Sequence, residues 1–70
     1  NPSNGSFKIN FESNDIHTIN LTDLVGKAIL ERQVVNEQNV NIDHLKSGTY
    51  ILTLFHKNGK TTKRKIISAP

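Results

Sequence analysis

The run Thr49-Tyr50-Ile51-Leu52-Thr53-Leu54-Phe55 constrains this chain more than any other stretch, because every residue in it is β-branched, aromatic or leucine. Residues of these types suit a pleated, largely buried surface, so the run predicts a central β-strand. Side chains alternate along a strand, which sets Tyr50, Leu52 and Leu54 on one face and Ile51, Thr53 and Phe55 on the other. Both faces are mostly apolar, and neither is expected to be fully wet. Just upstream, Gly48 stands where an entering turn can need a positive φ or a close backbone approach, and Leu45 is placed to plug the core beneath it.

The remainder reads as further strands separated by turn chemistry. After the turn-forming residues 1–5, Phe7, Ile9 and Phe11 alternate with Lys8, Asn10 and Glu12, the pattern of a half-buried strand. Ser13-Asn14-Asp15 is a short turn, and residues 16–22 form a second strand with His17, Ile19 and Leu21 on one side. Asp23-Leu24-Val25-Gly26 predicts a type I turn with glycine at the left-handed position, closing a hairpin onto residues 28–35. That third segment has enough helix propensity to fit two helical turns as well. Strand is preferred, because Gly26 precedes it without a capping residue and its neighbours are strands. Residues 36–39 make a polar loop, and Val40 and Ile42 mark a short strand leading to the central one. Asn58-Gly59 predicts a type I′ hairpin turn, since these residues readily supply two positive φ values. Residues 61–67 close the sheet, with Ser68-Ala69-Pro70 trailing loosely because proline cannot donate to a ladder.

Short strands at this spacing predict an all-β fold, an antiparallel sandwich of six or seven strands. Its single core is expected to hold Phe7, Ile9, Ile19, Leu21, Ile42, Leu45, Tyr50, Leu52 and Leu54. A domain of 70 residues buries only about 60% of the surface its unfolded chain exposes. The chain has no cysteine, so it folds without disulfides and has no thiolate metal site. No apolar run approaches the roughly 20 residues that a membrane-spanning helix needs.

The net charge of +3 conceals an asymmetry. Residues 1–45 carry three cations against six acids, whereas Lys46, Lys57, Lys60, Lys63, Arg64 and Lys65 face no acid in the remainder. A basic end of this kind suits a polyanion such as nucleic acid or anionic lipopolysaccharide. It equally suits lysines that guard an exposed sheet edge against aggregation. Nucleic acid is the weaker reading, since Phe7, Phe11, Tyr50 and Phe55 fit core positions and leave no stacking platform beside the lysines.

Catalytic and metal chemistry find little footing. His17, His44 and His56 fall on different predicted elements without a ligand spacing, and Ser47 has neither a nucleophile-elbow context nor a local base. The four glycines are scattered among turns rather than gathered in a phosphate-binding loop.

The pattern Ile42-Asp43-x-Leu45-x-x-Gly48-x-Tyr50-Ile51-Leu52 resembles the Gly-x-Tyr core of the type IX secretion system C-terminal sorting domains, type A, of Bacteroidetes-type bacteria. Three further stretches fit that family in the same order. They are the opening Asn1-Pro2-Ser3-Asn4-Gly5, the central Leu21-Thr22-Asp23-Leu24-Val25-Gly26-Lys27, and the closing Lys63-Arg64-Lys65-Ile66-Ile67. Each piece is weak alone, but four in register span the chain. The resemblance implies that Asn1, Pro2, Gly5, Asp23, Gly26, Leu45, Gly48, Tyr50, Lys63, Arg64, Lys65, Ile66 and Ile67 are sorting-motif residues. It implies an immunoglobulin-like sandwich and a non-enzymatic secretion signal with no cofactor. The family usually opens Tyr-Pro-Asn-Pro, and this chain begins at the second half of that motif, which implies that residues 1–70 are excised from a longer secreted protein.

The partners implied are the type IX translocon, outer-membrane shuttle proteins, the upstream cargo domain and a sortase-like cysteine peptidase that removes the domain. The location implied is the periplasm in transit, then the cell surface or the medium. A rival expectation is a small adhesion or carbohydrate-binding sandwich attached to an extracellular enzyme, which exposed aromatic residues would favour.

Overall fold

A computed structural model of the chain describes residues 6–10, 15–35 and 39–68. Six antiparallel strands lie within those residues: β1 Phe7–Asn10, β2 Ile16–Asp23, β3 Ala28–Gln33, β4 Asn39–Ile42, β5 Gly48–His56 and β6 Thr61–Ser68. They form two sheets, one with the order β1-β4 and the other with the order β3-β2-β5-β6. The pairings β1–β4 and β2–β5–β6 match those between strands B and E and between C, F and G of an immunoglobulin sandwich, with β3 in the place of C′. The expected β-sandwich is therefore the fold. Residues 28–33 are strand rather than helix, because their backbone groups are taken by the ladder to β2, in which Leu21 faces Leu30 and Ile19 faces Arg32.

The core follows from alternation. β5 presents Tyr50, Leu52 and Leu54 inward, and β2 sets Leu21 opposite Leu52 and Ile19 opposite Leu54. From the smaller sheet Ile9, Val40 and Ile42 descend onto them, Leu45 closes one end, and Phe7, Leu30 and Ile66 pack at the margin. The nine residues expected to share a core do so, with Phe7 at its edge. Ile16, Val34 and Val40 complete it.

Four expectations are corrected. His17 does not share a face with Ile19 and Leu21. The register to β5 slips between Ile16 and Thr18, where Ile16 pairs with His56 and Thr18 with Phe55. This bulge turns Ile16 into the core and leaves His17 exposed. Phe55, in turn, lies on the outer face of β5, half-buried with its ring 6.4 Å from that of His17, rather than in the core.

The β5–β6 connection is not a type I′ turn. Gly59 has a φ of +89°, but Asn58 is not among the residues of positive φ. The Gly59 N–H donates to the His56 carbonyl at 3.0 Å and the His56 N–H to the Lys60 carbonyl at 2.9 Å. One left-handed glycine after a tight turn closes the hairpin, as in three-residue hairpin loops. Asn58 contributes through its side chain, whose Oδ1 accepts from the Lys60 N–H at 3.0 Å.

Ser68 does not trail loosely. It is the last residue of β6, paired with Gly48 and 4% exposed. The expected strand residues Phe11 and Glu12, the turn residues Ser13 and Asn14, most of the 36–39 loop, and Ala69 and Pro70 lie outside the described residues.

Leu52 is 1% exposed at the centre of both layers. Leu52→Ala should therefore cost about 2 to 5 kcal/mol, a large share of the stability of so small a domain. Urea denaturation of the two proteins measures this, and an unchanged midpoint would contradict the placement.

Candidate functional site

The sequence-predicted site residues that fall within the described residues form three groups rather than one pocket. Asn1, Pro2 and Gly5 lie outside those residues.

The first group is the tip of the β2–β3 hairpin. Asp23 Oδ1 accepts from the Val25 N–H at 3.0 Å and the Lys27 N–H at 2.9 Å. The Asp23 carbonyl accepts from the Gly26 N–H at 3.1 Å, and the Asp23 N–H donates to the Lys27 carbonyl at 3.0 Å. Gly26 has a φ of +89° with open space around it, so its requirement is conformational rather than steric. A side-chain carboxylate that satisfies two backbone donors fixes the turn. It holds Leu24 and Val25 outward, 68% and 89% exposed. Two apolar side chains at a rigid, solvated tip contribute nothing to the core.

The second group is the passage from the smaller sheet to the larger. His44 takes a φ of +64°, unusual outside glycine, and Gly48 one of +153°. Leu45 drops into the core at 8% exposure. The Tyr50 hydroxyl donates to the Lys46 carbonyl at 2.7 Å, and the Ser68 hydroxyl to the Leu45 carbonyl at 3.1 Å. Leu45, Gly48 and Tyr50 thus act together as architecture: one fills, one turns, one ties. Ser68 belongs with them and escaped the sequence reading. Its only signal was parity, since period two places it on the face of Arg64 and Ile66.

The third group is β6, an edge strand. Lys63 and Lys65 pair with Thr53 and Ile51 on the outer face, whereas Arg64 and Ile66 pair with Leu52 and Tyr50 on the inner one. Ile67 lies outward, opposite Thr49, and is 58% exposed. Arg64 lines a groove of about 430 Å³ between β6 and β1.

The histidines do not converge. Among the described residues, no three His, Asp or Glu side chains come together to hold a metal. His56 does have two partners that local sequence could not reveal. Its Nδ1 lies 2.9 Å from Asp15 Oδ2 and its Nε2 2.8 Å from Thr62 Oγ1. Carboxylate, imidazole and hydroxyl follow one another as in a hydrolase relay. That chemistry also requires donors for an oxyanion and a substrate cleft at the hydroxyl. Thr62 does not line the groove beside β6. The Lys57 N–H donates to the Asp15 carbonyl at 2.6 Å, so the contacts work as a clasp that ties the start of β2 to the β5–β6 hairpin.

Residues 1–68 match the family described as secretion system C-terminal sorting domain. No curated protein and no solved structure matches the chain.

The passage between the sheets yields a prediction. Gly48→Val should destabilise by about 1 to 3 kcal/mol through its backbone conformation. Ser68→Ala should cost about 1 to 3 kcal/mol by leaving a buried carbonyl without its donor. Thermal melts check both, and wild-type midpoints would mean that the passage is held by other contacts.

Proposed function

The chain belongs to the secretion system C-terminal sorting domain family, and from that premise we propose that it is the folded C-terminal domain by which a longer secreted protein is taken across the outer membrane. Membership implies a type IX secretion sorting signal and export to the cell surface or extracellular space. In the proposal, the translocon and its outer-membrane shuttle proteins bind the domain as it emerges from the periplasm. A sortase-like cysteine peptidase then removes it, and the cargo is anchored or released. The domain is a substrate of this machinery and carries out no catalysis itself.

The observation that carries the reading is the extent of the match, which runs from residue 1 to residue 68 and so takes in every strand of the sandwich. The distribution of the motif residues supports it. Leu45, Gly48 and Tyr50 build the fold, whereas Lys63, Arg64, Lys65 and Ile67 are exposed and are free to be read by a partner. The adhesion alternative gains no observation of its own: Tyr50 is in the core, Phe7 packs against it and Phe55 is half-buried.

Fusion of residues 1–70 to a reporter in a type IX-competent bacterium is the test. The reporter should reach the medium or the cell surface. Retention in the periplasm with the domain folded would overturn the reading. Lys63→Gln with Lys65→Gln, in a chain ended after Ser68 so that the serine keeps its bond to the Leu45 carbonyl, should give a cooperative melt and a retained reporter. Normal secretion of that variant would remove the closing strand from the recognition element.

A further inference from the structure

The sandwich has two open seams, because a two-stranded sheet cannot cover a four-stranded one. On one side, a groove of about 320 Å³ runs between β3 and the end of β4. Arg32, Asp43 and His44 line it with mixed charge. On the other, the groove of about 430 Å³ runs between β1 and β6. Here Phe7 and Ile9 form one wall, Ile66 the other, and Leu52 the floor. Among the described residues, the charges around this second groove have one sign. Arg64 lies on its inner side, and Lys8 and Lys65 stand on the outer sides of its two walls by strand alternation. Among the described residues, no acid lines it and none of these cations has an ion pair.

Both walls are also strand edges. Among the described residues, β1 pairs with β4 alone and β6 with β5 alone, so each leaves a row of backbone donors and acceptors without a described strand along the groove. In an immunoglobulin sandwich, strand A lies beside strand B, the strand to which β1 corresponds. Among the described residues, nothing pairs there.

We propose that the β1–β6 groove receives an extended acidic strand from a protein partner, by addition to the free edge of β6. Main-chain hydrogen bonds to the edge supply affinity, and alternate side chains supply specificity. One set of side chains on the incoming strand is apolar and descends toward Phe7, Ile9 and Leu52. Carboxylates at the alternate positions face the outer side, where Lys63 and Lys65 of β6 stand beside them. The charge also selects against the alternative of a second copy. Two β6 strands placed edge to edge would set Lys63, Arg64 and Lys65 against their own kind, which is destabilising. The proposal rests on the sorting role only in assigning the incoming strand to the export machinery.

Peptide binding to residues 1–70 tests the groove directly. The probe is a synthetic peptide of alternating valine and glutamate, about ten residues long to span one strand. Its binding is read by fluorescence polarisation, and edge protection by amide hydrogen exchange on β6. Controls are the same peptide with a central proline, a version with lysine for glutamate, and heparin as a polyanion with no strand-forming backbone. The acidic peptide should bind, protect β6 amides and weaken with added salt. Lys63→Gln with Lys65→Gln, exposed sites whose folding a thermal melt verifies, should reduce affinity about tenfold.

Equal binding of the proline-interrupted peptide would overturn the proposal by showing attraction without strand addition. Heparin that displaces the peptide from the groove and binds there more tightly, without protecting β6 amides, would overturn it in favour of a glycan polyanion. Absence of peptide binding would overturn it outright. A domain that fails here yet still exports its reporter loses the strand proposal and keeps the sorting role, whereas one that binds the peptide but exports nothing does the reverse.

Discussion

A chain that crosses from one sheet of a sandwich to the other must carry its peptide groups past the core, and carbonyls left there without donors are costly. Two hydroxyls resolve this problem. Tyr50 reaches back to the Lys46 carbonyl, and Ser68, from the far end of the sequence, reaches the Leu45 carbonyl. Because both carbonyls are satisfied, Leu45 can enter the core and β5 can begin in register at Gly48. The buried faces of β2 and β5 then meet through Ile19, Leu21, Leu52 and Leu54. Serine at the end of β6 therefore matters as much to the entry of β5 as the glycine beside it.

What was legible in the sequence was whatever period two or local turn chemistry writes into consecutive residues. Thr49 to Phe55 announced its strand, and its inward face of Tyr50, Leu52 and Leu54 is the face the structure buries. Asp23 and Gly26 announced their turn, since a carboxylate acceptor and a residue free to take positive φ are both local requirements. Features set by distant residues were not legible. The bulge at His17 arises from pairing with β5, about 40 residues away, and reverses which of two neighbours is buried. Asn58-Gly59 carried the composition of one turn and adopted another, because a single left-handed residue was enough to close that hairpin. The partnership of His56 with Asp15 and Thr62 likewise exists only after folding.

The two hairpins share a device. In each, a residue four places before a lysine both donates to that lysine's carbonyl and accepts from a glycine of positive φ, as Asp23 does with Lys27 and Gly26 and His56 with Lys60 and Gly59. What differs is what each tip displays. The first presents leucine and valine, the second lysine and asparagine. A domain read by other proteins can vary such a display without disturbing its core, since neither tip packs against it. The exposed apolar pair and the basic edge strand therefore stand as separable surfaces on a common frame.

The smaller sheet has a mechanical consequence. β1 is the first strand described, only four residues long, and its ladder runs to β4 alone. No ladder bond joins it to the broader sheet, in which β2, β5 and β6 are held along eight or nine residues each. Tension applied ahead of β1, by a bulky polypeptide dragged or halted on that side, is therefore resisted first by one short ladder and the seating of Phe7 and Ile9. Yielding there would bare the inner face of the larger sheet while its own strands stayed paired, a partial opening well below the cost of full unfolding. Were cargo joined ahead of β1, as the proposed function has it, the tether and the shortest ladder of the sandwich would coincide, and load would reach the core there first.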